Sequence, residues 1–134
     1  MNFARLLVAH GIVTLAAGIV LIAAPAAIPA AVDVQVPGGA FLVPHMLGSA
    51  EIAIAVLSFG ASRLADPRAL RLVAVTLIVF HLTTAAVEAY AFFQDRAAAG
   101  VWINVGVRLA VSALLGYYAT RAVPAHHRGT ASAW

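Results

Sequence analysis

The chain has 134 residues, of which 63% are hydrophobic and only 10% are charged. Soluble domains are about 45–50% apolar and about 25% charged, so this composition excludes an ordinary water-soluble domain and predicts an integral membrane protein. The absence of cysteine excludes disulfides, thiolate metal sites and cysteine nucleophiles, and the net charge of +3 comes mainly from arginines at the ends of apolar runs, which argues against a nucleic-acid partner.

Four apolar runs predict four transmembrane helices, because each approaches the ~20 residues needed to cross a hydrocarbon layer of about 30 Å. The runs cover residues 3–24, 41–62, 69–93 and 101–120. Within the first run, Arg5 is followed by the apolar stretch Leu6–Ala24, which imitates a signal peptide. This stretch is longer than the ~7–15-residue apolar core of such a peptide, so we expect a retained helix. The predicted fold class is all-α, an integral membrane four-helix bundle in which residues 1–134 form a single transmembrane domain.

The segment between the first two runs, residues 25–40, is rich in proline and glycine but largely apolar. It contains one charged residue, Asp33, and no basic residue. Two interpretations are open. The segment either lies in the membrane interface, or it forms a lid over the outer end of the bundle.

Arginines indicate which ends of the runs face the cytoplasm, because cytoplasmic loops carry an excess of basic residues. Most of them precede the first run, surround the turn between the second and third runs, or follow the fourth: Arg5, Arg63, Arg68, Arg71, Arg121 and Arg128. The other two connections contain only Arg96, next to Asp95. We therefore expect a multi-pass protein of the bacterial inner membrane with both termini in the cytoplasm, and a cytoplasmic tail at residues 121–134 that includes His126 and His127.

Seven polar or ionisable residues interrupt the predicted helices. They are His10, His45, Glu51, His81, Glu88, Asn104 and Arg108. An ionisable side chain at bilayer depth costs from roughly 2.5 kcal/mol upward unless it is paired or faces a wet cavity. At about 100° per residue, each helix has one polar face, and on the second helix Glu51 lies on that face with His45 on its flank. Four polar faces predict one internal polar site.

A rise of about 1.5 Å per residue separates these residues by depth. The residues expected near the midplane are Glu51, His81 and Arg108, and those expected near the outer end are His45, Glu88 and Asn104. His10 lies on the inward face of the first helix, but the count places it in the inner half, closer to the cytoplasm than the others.

Arg108 is the only cation deep within the predicted helices, and it must find an anion or water because arginine does not lose its proton in proteins. The only deep anions are Glu51 and Glu88. We expect Arg108 to pair with one of them, and the sequence leaves open which. The other carboxyl group, beside His81, is then available for general acid–base chemistry.

Several specific motifs are missing from the sequence. It contains no Glu-x-x-His pair of the di-iron bundles, no His-x-x-x-His pair and no phosphate-binding glycine-rich loop. Haem is still open, because His10, His45 and His81 lie on three predicted helices and two of them could be axial ligands.

In size and hydropathy the chain resembles small bacterial four-helix membrane proteins, including the DoxX-like proteins. The resemblance is carried by the four apolar runs, by the Gly-Ser-Ala-Glu stretch ending at Glu51, and by His81 and Glu88. The chain is also similar in size to small multidrug-resistance transporters, although their first-helix glutamate is replaced here by His10. Integral-membrane terpenoid cyclases and sterol-type isomerases are similar in residue types, and this likeness implies acid–base roles for buried carboxylates and histidines.

The leading hypothesis is a membrane-embedded acid–base enzyme, of isomerase or cyclase type, acting on a lipophilic terpenoid-like or lipid substrate. The predicted catalytic residues are Glu51, His81, Glu88 and Arg108, and the predicted substrate-binding residues are His10, His45 and Asn104. One glutamate is the acid, the histidine is the base or proton relay, and the arginine orients the other glutamate. The enzyme needs no cofactor and no metal in this hypothesis.

Two other functions are open on the sequence. The first is a membrane subunit that binds a quinone, a haem or a metal through its histidines. The second is a proton-coupled small transporter. The expected partners are a lipophilic small molecule and membrane lipids, with no nucleic acid, and assembly as a homo-oligomer is left open.

Overall fold

The computed structural model describes residues 2–122, in which the regular secondary structure is helical and there is no strand. The helices are α1 (Phe3–Ala23), α2 (Ala27–Ala30), α3 (Leu42–Ala61), α4 (Pro67–Phe93) and α5 (Val101–Ala122), and a single 3₁₀ turn covers Gly38–Ala40. Four of these helices are long and apolar enough to cross a membrane. The predicted all-α fold with four such helices is confirmed. Most of the predicted tail, including His126 and His127, lies outside the described residues.

Local sequence signals account for where two of the long helices begin. The side chain of Asn2 accepts a hydrogen bond from the Arg5 backbone N–H and caps α1. Asp66 caps α4 in the same way, and Pro67 occupies the first turn, where its missing N–H leaves no intrahelical bond unmade. α4 therefore begins two residues earlier than its apolar run at residue 69 suggests.

The long helices associate as two antiparallel pairs. α1 packs along α3, and α4 packs along α5, whereas contacts between the two pairs are sparse and run mainly from α3 to α4 and from α1 to α5. The order around the bundle is therefore α1, α3, α4, α5. Side chains from α1 and α4, or from α3 and α5, meet only across the centre.

The α1–α3 pair is close because glycine faces glycine at its crossing point. A Cβ atom at Gly18 would lie 2.8 Å from the Gly48 carbonyl oxygen, and one at Gly48 would lie 2.9 Å from the Gly18 carbonyl oxygen. No side chain fits there, so the two backbones touch directly.

The two ends of the bundle differ in how they are filled. The end that carries the start of α1 and the α3–α4 turn, here called the termini end, is closed by an apolar core from all four long helices. Its members are Phe3, Leu6, Leu7, Ala61, Val73, Ala74, Leu77 and Leu115. Three of these leucines, Leu7, Leu77 and Leu115, are completely buried. The opposite end, here called the loop end, carries residues 24–41 and the α4–α5 turn.

The outer faces of the long helices are strongly apolar. Leu72, Phe93 and Ile103 each expose about 70% or more of their surface, at 69%, 70% and 76%, and many other large apolar side chains are also exposed. Monomeric soluble proteins rarely expose contiguous apolar surface on this scale. Apolar surface on this scale marks a face that contacts a membrane or another protein.

Candidate functional site

A line of hydrogen bonds crosses the centre of the bundle from α3 through α1 and α4 to α5. His10 Nδ1 lies 2.9 Å from Ser58 Oγ, and His10 Nε2 lies 2.8 Å from His81 Nε2. His81 Nδ1 is 3.5 Å from Arg108 Nη1. Ser58 is fully buried and the two histidines are more than 90% buried. The line joins the two helix pairs through their polar side chains.

One arrangement of protons satisfies every contact in this line. The Ser58 hydroxyl donates to the Ile54 carbonyl oxygen at 2.8 Å, so its oxygen accepts from His10 Nδ1–H. A neutral imidazole carries one N–H, so His10 Nε2 accepts and His81 Nε2 donates. His81 Nδ1 can then accept from Arg108, which can only donate. The tautomers of both histidines follow from this network, which runs in one direction from Arg108 to the Ile54 carbonyl.

Arg108 holds the carboxylate of Glu88 in place. Its Nε donates to Glu88 Oε1 at 3.1 Å, and Asn104 Nδ2 donates to the same oxygen at 2.6 Å. The second oxygen, Glu88 Oε2, is buried and has no hydrogen-bond partner within the described residues. A buried acceptor without a donor is rare in folded proteins and calls for an explanation.

Glu51 approaches Arg108 from the other side but more loosely. Its Oε1 lies 4.0 Å from Arg108 Nη2, a distance beyond hydrogen-bond range. Glu51 is only 5% exposed. Its side chain makes no hydrogen bond in the part of the chain that the structure describes. Arg108 therefore binds Glu88 directly and stays near Glu51, which resolves the alternative left open by the sequence.

A cavity of about 450 Å³ lies at the loop end, directly beside this cluster. Its walls are apolar side chains from all four long helices, and Glu88 and Asn104 form the part nearest the centre of the bundle. Small-molecule sites are commonly 300–1,000 Å³ in volume, mostly apolar, with a few placed polar groups. The cavity has these properties.

Residues 24–41 cover the cavity from outside. Apolar side chains from this segment, such as Ile28, Val32 and Val36, line its outer wall. The Ala98 N–H donates to the Val32 carbonyl at 3.3 Å and ties the segment to the α4–α5 turn. Asp33 has a φ of 57°, a left-handed conformation that aspartate tolerates better than most residues. The segment therefore forms the loop-end wall of the cavity.

Six of the seven polar residues singled out in the sequence join one cluster. His10, Glu51, His81, Glu88, Asn104 and Arg108 are connected through the contacts given above. His45 does not join them. It is half-buried near the start of α3, its ring lies 6.5 Å from that of Phe41, and its side chain makes no hydrogen bond within residues 2–122. It is also not among the residues that line the cavity.

The depth expected for His10 is wrong. Counting from the helix ends placed it apart from the midplane residues, yet its ring contacts that of His81 directly. His10 is the eighth residue of α1, whereas His81 is the fifteenth of α4. With these two residues in contact across the centre of the bundle, α4 begins about two turns before the start of α1, so equal counts from the two helix starts do not mean equal depth.

Ser58 is a member of the cluster that the sequence reasoning missed. A spacing signal was available, because Ser58 follows Glu51 by seven residues, or about two helical turns, and so shares its face. The buried residues of α3 follow this spacing from Pro44 through Glu51 to Ser58. A serine in an apolar helix does not by itself indicate a polar site, because its hydroxyl can bond the carbonyl one turn earlier in the same helix.

The direct contact between His10 and His81 determines whether these two residues could hold a metal ion or a haem iron between them. Two imidazole nitrogens on opposite sides of one metal ion, each about 2.0–2.1 Å from it, would lie about 4 Å apart. The 2.8 Å between His10 Nε2 and His81 Nε2 is a hydrogen-bond distance and leaves no room for an ion between them. Elsewhere in residues 2–122, no three His, Asp or Glu side chains converge in a way that could hold a metal.

Comparisons of the chain with protein-family models, with curated proteins and with solved structures found no match. The resemblance to DoxX-like proteins therefore stays a prediction, and the function must be argued from the site.

Proposed function

We propose that the chain is a membrane-embedded acid–base enzyme, of isomerase or cyclase type, that acts on a lipophilic terpenoid-like or lipid substrate. The observation that carries the proposal is the position of Glu88. Its carboxylate is fixed by Arg108 and Asn104, has one buried oxygen without a donor in the described chain, and lines a cavity that is otherwise apolar. An apolar molecule in this cavity would bring its reacting atoms to a carboxylate.

The membrane placement in this proposal rests on three properties. The four long helices have the length and hydropathy of transmembrane helices, their outer faces are apolar, and arginines are concentrated at the termini end. This distribution supports cytoplasmic termini and an outward-facing loop end in the bacterial inner membrane. Membrane lipids would then surround the helices.

The contacts suggest a division of roles in the proposed reaction. Glu88, held in place by Arg108, accepts a hydrogen bond or a proton from the substrate. Asn104 has a second N–H with which it can donate to a substrate oxygen. Glu51 lies on the other side of Arg108 and supplies the acid. The His81–His10 pair is within hydrogen-bond reach of Arg108 and serves as the proton relay.

The closed termini end favours isomerisation over a reaction with net proton uptake. The apolar core that includes Leu7, Leu77 and Leu115 separates the polar cluster from that end. Protons removed from a substrate are therefore most easily returned to it or to the cavity. An isomerase or cyclase needs no more than this, because its substrate and product contain the same atoms.

The same core weighs against the transporter alternative, because a proton path through the bundle would have to cross it. A quinone is the second candidate ligand, since a hydrogen-bonded histidine pair beside a lipophilic cavity could take up a quinol proton. The two candidates differ in readout. A quinol oxidase subunit would change the redox state of a quinone, whereas the proposed enzyme would change the position of hydrogen atoms within a lipid.

The proposal can be tested without knowing the substrate. Membranes from a bacterial host expressing the protein are incubated in deuterated water, and extracted lipids are analysed by mass spectrometry. We expect at least one lipid to be converted to an isomer that contains deuterium in place of hydrogen and is otherwise unchanged in elemental composition. Glu51→Gln and Glu88→Gln should each reduce both signals by at least about 100-fold, the lower range for loss of a general acid or base.

Asp95→Asn is the matched control, because it makes the same acid-to-amide change on an exposed turn residue. It should retain the wild-type lipid pattern. The proposal is wrong if expression of the wild-type protein changes no lipid, or if both glutamate variants retain the conversion.

A further inference from the structure

The cavity offers an unusual set of polar groups for one that is so apolar. Of the residues that line it, only Gln35, Glu88 and Asn104 have polar side chains. The lining set contains no basic and no aromatic residue. Gln35 belongs to the covering segment, so Glu88 and Asn104 are the polar groups that a ligand meets at the inner end of the cavity.

The hydrogen bonds that Glu88 and Asn104 already make show which donors and acceptors are left for a ligand. Glu88 Oε1 already accepts from Arg108 and Asn104, whereas the buried Glu88 Oε2 has no donor in the described chain. Asn104 uses one of its two N–H groups on Glu88, which leaves one N–H to donate. The complementary ligand group is one that donates one hydrogen bond and accepts another. A hydroxyl group does both with a single oxygen atom.

The charges of the site argue against ionic ligands. A phosphate or carboxylate would face Glu88 Oε2 with no basic side chain lining the cavity to offset the repulsion. An ammonium group would find Glu88 already paired with Arg108 at 3.1 Å, and it would lack the aromatic rings on which proteins commonly hold such cations. A neutral group fits the site better than either.

We infer that the ligand of this cavity is a neutral lipid alcohol, whose hydrocarbon part fills the cavity and whose hydroxyl accepts from Asn104 Nδ2 and donates to Glu88 Oε2 after a shift of the Glu88 side chain brings that buried oxygen to the cavity surface. This inference names the substrate class for the enzyme proposed above and rests on that proposal. The hydroxyl satisfies the buried oxygen that the described chain leaves without a donor.

The test uses four ligands that share one C15 prenyl chain and differ only at the end: the alcohol, its methyl ether, the primary amine and the carboxylic acid. The full-length protein is placed in phosphatidylcholine nanodiscs, and retained ligand is measured by mass spectrometry against protein-free nanodiscs, which corrects for partitioning into lipid. We expect the alcohol to bind at least about tenfold more tightly than the ether, the equivalent of about 1.4 kcal/mol.

Two variants connect the preference to the site. In Glu88→Gln the preference for alcohol over ether should fall below about threefold, because the amide can donate to an ether oxygen. Asp95→Asn makes the same acid-to-amide change on an exposed turn residue outside the cavity lining, and it should retain the preference. The wild-type ligand series is informative by itself, so a folding defect in a variant cannot conceal the result.

The possible results separate this inference from the proposed function. Equal binding of alcohol and ether, or strongest binding of the amine or the acid, would overturn the inference. If the alcohol is preferred but no lipid is converted in deuterated water, the ligand class stands and the proposed catalysis fails. If lipids are converted and the alcohol is not preferred, the catalysis stands and the ligand class is wrong.

Discussion

Replacing Arg108 with methionine should destabilise the protein strongly, and a second replacement should partly restore it. Arg108 Nε lies 3.1 Å from Glu88 Oε1, and the two side chains are only 13% and 18% exposed. At an effective dielectric constant of ~20, unit charges at this distance attract by about 5 kcal/mol. Removing the arginine alone leaves Glu88 buried without its cation, and a change of this kind costs about 3–5 kcal/mol.

The double variant Arg108→Met/Glu88→Met removes both charges and replaces them with apolar side chains. Replacing a whole buried ion pair in this way is often neutral or stabilising, so we expect the double variant to be more stable than Arg108→Met by about 2–4 kcal/mol. Arg108→Met/Glu51→Met should recover less, because Glu51 is 4.0 Å from the guanidinium group and makes no hydrogen bond to it.

The free energies of unfolding can be measured in detergent micelles by circular dichroism during titration with a denaturing detergent. A double-mutant cycle over the wild type, two single variants and the double variant isolates the coupling between Arg108 and Glu88. Additive effects, with a coupling below about 1 kcal/mol, would refute the reasoning. A larger recovery with Glu51→Met than with Glu88→Met would show that the arginine pairs with the other glutamate.

Three further predictions concern packing and the hydrogen-bond line. Ser58→Ala removes the acceptor of the His10 Nδ1–H, so the free energy of unfolding should fall by about 1–3 kcal/mol. Nitrogen NMR should also show that His10 changes tautomer. The same tautomer in both proteins would contradict the assignment. Gly48→Ala places a methyl group 2.9 Å from a backbone oxygen of α1 and should lower the free energy of unfolding by about 1–3 kcal/mol. Gly60→Ala, which meets no described atom within 4 Å, should stabilise its helix by up to about 1 kcal/mol. Equal effects of the two variants would argue against the close crossing of α1 and α3. Leu77→Ala should lower the free energy of unfolding by about 2–5 kcal/mol because the side chain is fully buried. Leu72→Ala, at 69% exposure, should lower it by less than about 1 kcal/mol in the same denaturing-detergent titration.

The helices and their inward faces could be predicted because both depend on spacing within a single helix. Long apolar runs indicate the four long helices, and a period of 3.6 residues places His10, Thr14 and Gly18 on one side of α1. The structure buries these three residues. The same periodicity places Glu51 inward on α3. These predictions required no knowledge of how one helix sits against another.

The contacts between helices could not be predicted in the same way. The His10–His81 hydrogen bond depends on how far α4 is shifted along α1, and no spacing within either helix encodes that shift. The choice of Glu88 over Glu51 as the direct partner of Arg108 depends on differences of about an ångström. The cavity depends on the path of residues 24–41, whose prolines and glycines allow many conformations.

Because contact between the two helix pairs is sparse, the polar cluster also connects the α1–α3 pair to the α4–α5 pair. The α1–α3 pair contributes His10, Glu51 and Ser58, and the α4–α5 pair contributes His81 and the Arg108–Glu88–Asn104 group. Each pair is a hairpin with its own close packing, but neither contains a whole site. The hydrogen bond between the two imidazoles fastens one hairpin to the other, so the groups proposed to do chemistry also hold the molecule together. A change that improved the reaction at the expense of this fastening would loosen the assembly, and the chemistry and the architecture of this chain are therefore constrained to evolve together.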